Sequence, residues 1–407
     1  MPITRRLFCT HTTGVIAAGM LLPRALTAEP STARPDVAAI DHDRILKAAQ
    51  EYLVKTPTPL TTIPSKRSPG TPHEFYSEAE DYWPDPTKPG GMYLQRNGSA
   101  NPAAFTAHRD ALLDLSIWVP ALAAAYVLTK EESYAKAAVQ HLRAWFVHPA
   151  TSMTPSLLYA GVVLAAKISR FEGILETVHL AEVAQAIPFL LNAEAFTKND
   201  ADGVTKWFGA YFDWLSNSQL AGLARDQKDH HGSSWLLQTT AFMRLRLALL
   251  PNADDTPLGE LRHRYKSVTI RAQITADGTF PHELATPNPY RLSLFNLDML
   301  AAICLLLSTP FDSVWEYDLQ DGPGMRAVIA RHFPYIKDKG AWPYPADTAY
   351  FDNLPLRQPS LLFCARAYTR PEYADLWKVL PADTQITELQ RTFPIRQPLL
   401  WVTRPKP

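Results

Sequence analysis

The chain has 407 residues, with 40 lysines and arginines balanced by 40 aspartates and glutamates and 46% hydrophobic residues. That balance excludes the basic footprint of a nucleic-acid binder, and the length is ample for a large core in one or two domains. Three cysteines are too few for a disulfide framework.

The N-terminus predicts an export signal over residues 1–28. Arg5 and Arg6 precede a short apolar run from Gly14 to Leu22, and Ala28 offers a cleavage position. The paired arginines are twin-arginine-like, although Cys9 and Thr10 depart from the usual residues there; a general secretory signal is the alternative. The chain after processing is expected outside the cytoplasm, periplasmic or secreted. Removing Arg5, Arg6 and Arg24 from the 40 basic residues leaves 37 against 40 acidic, so any positive field for a polyanion must be local to a groove. No later apolar run reads as a membrane helix.

One domain is expected over residues 36–401. Prolines cluster in residues 55 to 102, 281 to 289 and 342 to 358, marking loops. The segment from His73 to Pro102 is rich in aromatics, Gly and Pro, and loops of this length usually serve a function. Its Tyr82 and Trp83, with Tyr159 further on, are candidate sugar-stacking surfaces, core packing being the alternative. Elsewhere apolar residues recur at helical spacing, as in ALLDLSIWVPALAAAYVLT, VHLAEVAQAIPFLLNA and SLFNLDMLAAICLLL. The pattern predicts an all-α chain of antiparallel helices in a bundle, a solenoid, or a ring of hairpins around a cavity. Cys304 and Cys364 lie in apolar runs and read as buried free thiols.

Two stretches carry candidate chemistry. Asp226 to Phe242, DQKDHHGSSWLLQTTAF, places His230 and His231 just before an apolar helix. Asp277 to Leu300, DGTFPHELATPNPYRLSLFNLDML, repeats that arrangement with His282, Glu283, Tyr290 and Arg291.

Read with YSEAEDYWPDP (Tyr76 to Pro86), NGSANP (Asn97 to Pro102), TSMTPSLLYA (Thr151 to Ala160), WFGAYFDWLSNS (Trp207 to Ser218) and QPLLW (Gln397 to Trp401), these blocks resemble the alginate-lyase-like polysaccharide lyases. The resemblance implies an incomplete toroid of α-helical hairpins with a loop-rich N-terminal arm. It also implies cleavage of a uronic-acid polymer by β-elimination, with no cofactor and no metal. The family usually reads Asn-Asn-His-Gly where this chain has Asp229, His230, His231 and Gly232, so its carboxylate-binding asparagine is His230 here. It commonly reads Glu-Leu-Ala-Arg, with a tyrosine six residues on; this chain has Glu283, Leu284, Ala285, Thr286 and then Leu292. Tyr290 and Arg291 lie beside those two positions.

β-Elimination removes the proton on C5 beside the uronate carboxylate and expels the oxygen on C4. It needs a neutraliser for the carboxylate, a base and an acid. The neutraliser candidates are His230, Arg291 and Gln238. His231 suits the base, and Tyr290 the acid or both roles, with Tyr159 and His282 next in line. Trp83, Tyr82, Tyr159, Gln238 and Glu283 are the expected substrate-binding residues, Glu283 alternatively orienting a histidine. Three rival readings remain. A glycoside hydrolase would use two carboxylates, Asp229 and Glu283. A metal hydrolase would use His230, His231, His282 and Glu283. A glycan-binding protein would have lost the chemistry. The expected partner is an anionic polysaccharide; oligomeric state is left open.

Overall fold

The computed structural model describes residues 32–317, apart from positions 97 and 99, and residues 324–405. The predicted export signal at 1–28 lies outside the described residues, as do Asn97 and Ser99 of the NGSANP block. From Thr32 onward the chain forms one contact-dense unit, mostly helical.

Helix α1 (Val37–Tyr52) starts at Asp36, whose carboxylate caps the Ala39 N–H at 3.1 Å. Among the described residues no α-helix follows until Ala107, the Gly, Pro and aromatic loop having no helical period. It holds three short strands, β1 (Tyr76–Glu78), β2 (Tyr82–Trp83) and β3 (Leu94–Gln95). Strands β2 and β3 pair antiparallel, Tyr82 opposite Gln95 and Trp83 opposite Leu94. After α2 (Ala107–Thr129) and α3 (Glu132–Leu142), strand β4 (Tyr159–Val162) returns to pair in parallel with β1 across a register break. A 3₁₀ helix, Phe171–Thr177, then lies so close to β4 that a Cβ on Gly173 would stand 2.6 Å from that of Ala160.

The helices that follow are α4 (Leu180–Leu190), α5 (Lys198–Asn217), α6 (Gln219–Arg225), α7 (His230–Leu249), α8 (Thr256–Arg264) and α9 (Ile270–Gln273). After them come α10 (Pro281–Leu284), α11 (Pro289–Leu307), α12 (Met325–Lys337), α13 (Pro359–Tyr368), α14 (Pro371–Val379), α15 (Thr387–Arg391) and α16 (Leu399–Val402). Helices α10, α11, α13 and α14 each begin at a proline, whose fixed φ suits the first turn and whose missing N–H costs nothing there.

Helices α7 and α11 form the centre. Every residue from Gly232 to Met243 and from Ser293 to Cys304 is buried, the signature of a helix packed all round. They pack on each other; α7 also meets α4 and α5, and α11 meets α13. Each buried Leu, Phe or Met contributes about 1.5–3 kcal/mol of transfer free energy. Some of their buried polar groups bridge elements: Ser233 Oγ and Asn296 Nδ2 both donate to Gln273 Oε1 (2.9 and 3.1 Å), tying α7, α11 and α9 together.

One expectation is corrected. Helices α2 and α11 are long and apolar enough, by length and composition, to cross a membrane. In their most apolar windows 72% and 89% of the residues are buried inside the protein, which makes both core helices. Cys304 and Cys364 are buried and free.

Candidate active site

The site is built where the first turns of α7 and α11 meet β1, the 3₁₀ helix and α15. Asp229 caps α7, accepting the His231 N–H at 2.9 Å. The tightness of this start explains Gly232, since a Cβ there would lie 2.3 Å from the Gln227 carbonyl oxygen. Fifty-three residues away, α10 delivers Glu283, fully buried, back to the same turn. Its Oε1 accepts the His230 N–H and its Oε2 accepts the His230 ring Nδ1–H, both at 2.7 Å.

Each histidine therefore has a carboxylate of its own. The hydrogen-bond network assigns His231 Nδ1–H to Asp229 Oδ1 (2.9 Å), which leaves Nε2 as the acceptor end of the ring. The two rings lie 4.2 Å apart at 33°, His230 against Phe295 and His231 edge-on to Phe171. Burial works to depress His230, but the charge and hydrogen bond of Glu283 outweigh it and raise the imidazole above its ordinary 6.5. Burial, and then the neighbouring His230 charge, lower His231 below 6.5 despite Asp229. Asp229 resists its own burial because its bonds and proximity to His231 and His230 favour the carboxylate, and it is held well below the usual carboxylate range. The two environments thus push the rings apart, His230 toward its protonated form and His231 toward its neutral form with Nε2 as the acceptor end.

A cavity of about 330 Å³ lies near this pair, with neither histidine in its wall. Phe295, which touches His230, is in its wall, as are Glu172 and Gly173, which follow Phe171 in sequence. Arg291 and Leu292 face it from the first turn of α11. Other charged groups come from Glu80 and Asp81, Arg109 on α2, Glu176 on the 3₁₀ helix, and Glu388 and Arg391 on α15. Most are paired: Arg109 with Glu80 (2.7 Å), Arg391 with Glu80 (3.1 Å), Arg291 with Glu388 (3.2 Å) and Arg170 with Asp81 (3.0 Å). Burial would raise Glu80, but Arg109 and Arg391 prevail and hold it low. The arginines are thereby held in fixed positions around a space roomy enough for a sugar unit.

Several candidates from the sequence fall elsewhere. Tyr290 is fully buried, its hydroxyl donates to the Tyr335 carbonyl at 3.0 Å, and Trp342 and Phe351 pack edge-on to its ring. It is a core aromatic: successive residues on a helix point about 100° apart, so with Arg291 and Leu292 toward the cavity, Tyr290 turns away. Gln238 is also fully buried, donating to the Ile174 carbonyl (3.1 Å) and accepting from Thr177 (2.9 Å). It holds the 3₁₀ helix on α7 and has no free group for a substrate. Glu283 spends both oxygens on His230 and is a positioning residue, not a substrate-binding one.

Tyr82 lies under the Arg170 guanidinium (5.1 Å), and Arg170 is in the cavity wall; Trp83 carries Arg96 at 5.3 Å. Tyr159 sits in β4, two residues before the wall residue Gly161. His282 is exposed while its neighbour Glu283 is buried, so the two do not converge on one ion. Asp229, His230 and His231 do offer donor atoms within 4.8 Å of one another, but the Nδ1 atoms of both rings are taken by carboxylates. Sequence reasoning missed Arg109, Glu176, Glu388 and Arg391; Glu388 and Arg391 lie in the polar run TELQR, and Glu176 follows the apolar pair Ile174 and Leu175, a weak local signal.

The alginate lyase family model matches residues 60–342. Among solved structures, an alginate lyase from Bacteroides ovatus is similar at 26% identity, covering 88% of this chain and 94% of that one, with a TM-score of 0.75. Alginate lyase A1-III from Sphingomonas species A1 is similar at 17% identity, with 92% and 96% covered and a TM-score of 0.51. A histidine-to-alanine variant of A1-III complexed with a tetrasaccharide gives 15% identity, 93% and 96% covered, and a TM-score of 0.52. The last two likenesses are of fold alone. A comparison with curated protein sequences gives no match.

Proposed function

The chain belongs to the alginate lyase family, and from that membership we propose that it is a polysaccharide lyase cleaving an alginate-like uronic-acid polymer by β-elimination beside the His230–His231 pair. The observation that carries the site assignment is the separate carboxylate held by each imidazole, Glu283 on His230 and Asp229 on His231. It prepares two neighbouring rings for opposite tasks.

The C5 proton of a uronate becomes removable only when the carboxylate charge is neutralised. The His230 imidazolium, supported by Glu283, supplies that neutralisation in place of the family asparagine, with Arg291 as the second cation at the cavity wall. A preorganised donor of this kind contributes about 3–4 kcal/mol in the transition state. His231 Nε2 takes the C5 proton, its tautomer fixed by Asp229 as a carboxylate fixes a catalytic histidine elsewhere. The C4–O bond then breaks and a C4–C5 double bond forms.

The finer architecture in this reading is an incomplete toroid of antiparallel hairpins. It is supported by the succession of packed neighbours from α2 through α4, α7 and α11 to α13, with α16 returning to α1, α2 and α4. In this reading the enzyme works in the periplasm or outside the cell, where extracellular polymer is met; the twin-arginine-like sequence at 1–28 supports it. A hydrolase built on Asp229 and Glu283 is disfavoured, because Glu283 is fully buried and committed to His230. Product analysis tests the reaction: a lyase leaves a 4,5-unsaturated uronate absorbing in the near ultraviolet, whereas hydrolysis leaves none.

A further inference from the structure

With Tyr290 in the core, the proton for the departing C4 oxygen needs another source. No tyrosine, serine or cysteine is in the cavity wall among the described residues. Its carboxylates are mostly ion-paired, and one stands apart. Glu176 lines the cavity from the 3₁₀ helix, and its Oε2 is buried with no hydrogen-bond partner among the described residues. The other oxygen, Oε1, accepts the Ser77 hydroxyl at 2.7 Å. That hydroxyl is itself oriented, because Ser77 Oγ accepts the Gly161 N–H at 2.8 Å and so turns its hydrogen toward Glu176. Oε1 is thereby committed as an acceptor, and Oε2 is the oxygen left to carry a proton.

Resting on the lyase reading above, we infer that Glu176 is the general acid of the elimination, donating the Oε2 proton to the C4 oxygen as the C4–O bond breaks. The electron pair of the broken C5–H bond becomes the C4–C5 double bond, the pair of the C4–O bond stays on the leaving oxygen, and the C5 proton stays on His231 until solvent returns the site to its starting state. No oxidant, metal or co-reactant enters the balance. The groups facing Glu176 agree with a neutral acid. Burial pushes its carboxyl above the ordinary range and Glu80 adds to the rise, while Arg109, the Ser77 hydroxyl and Arg391 pull the other way without reversing it.

The test compares the cleavable uronic-acid polymer with a uronide of the same epimer bearing fluoride at C4, a leaving group that needs no proton. In folded Glu176→Gln, kcat on the polymer should fall at least about 100-fold, with KM within about threefold, while the rate on the fluoride stays within about threefold of wild type. Equal losses on both substrates would overturn the acid role and leave Glu176 a binding group; unchanged rates on both would remove it from the mechanism. The wild-type enzyme supplies a second readout that needs no variant. The ratio of polymer rate to fluoride rate should decline as pH rises through the Glu176 titration, because His230 and His231 serve both substrates and cancel; a flat ratio overturns the inference. If wild type makes no unsaturated product from any uronate polymer, it is the lyase reading that fails.

Discussion

At the residue scale, the site turns on which carboxylate serves which ring. Glu283 raises His230, so the cation is fully present below 6.5 and is lost as pH rises through the raised folded value. Glu283→Gln removes the charge that offsets burial. The His230 titration, followed by imidazole NMR, should then move to lower pH and turnover should fall about tenfold or more; an unmoved titration would mean that Glu283 does not tune this ring. Tyr290→Phe should leave kcat within about twofold and cost about 1 kcal/mol of stability, from the bond to the Tyr335 carbonyl. A large loss of kcat with unchanged stability would put Tyr290 back in the chemistry. The histidines were legible in the sequence as a polar pair before an apolar run, whereas Glu283 was expected to bind substrate, with orienting a histidine only as the alternative. Tyr290 was misread because adjacency along the chain is not adjacency on a helix: one residue's step carries a side chain from the cavity wall into the core.

At the element scale, helical periodicity was enough to find most of the helices, because most present one apolar stripe. It was blind to which would be central, and that became visible only when α7 and α11 proved buried on all sides. The cavity was the least legible element. Its walls come from residues as far apart as Glu78 and Thr392, and nothing local in either segment signals the other. One buried carboxylate has an outsized structural share. Glu182 on α4 accepts the N–H groups of Arg396 and Gln397 (2.9 and 2.7 Å) and the Trp401 indole N–H (3.2 Å), seating the segment that carries α16. Glu182→Ala leaves these donors unmatched in a buried place. It should cost about 3 kcal/mol or more in denaturant unfolding, and a loss under about 1 kcal/mol would show that the C-terminal segment is held by packing alone.

At the scale of the whole molecule, the N- and C-terminal parts are stitched together. Asp41 on α1 receives Arg357 (2.7 Å) and Arg44 (2.9 Å), and Arg44 reaches on to the Arg396 carbonyl (3.0 Å). The neutral formal charge conceals a strongly charged cavity in which Arg109, Arg170, Arg291 and Arg391 are each paired with an acid, so attraction of a polyanion rests on individual guanidinium groups and not on a net positive field. The central claim, β-elimination with His231 as base, is tested most directly by initial rates of near-ultraviolet absorbance on a panel of uronic-acid polymers including alginate and glucuronan, for wild type and folded His231→Ala. The account predicts that absorbance rises for wild type on at least one polymer and rises about 100-fold or more slowly for the variant, with substrate binding largely retained. Release of new reducing ends without absorbance, or equal rates in the two proteins, would contradict it.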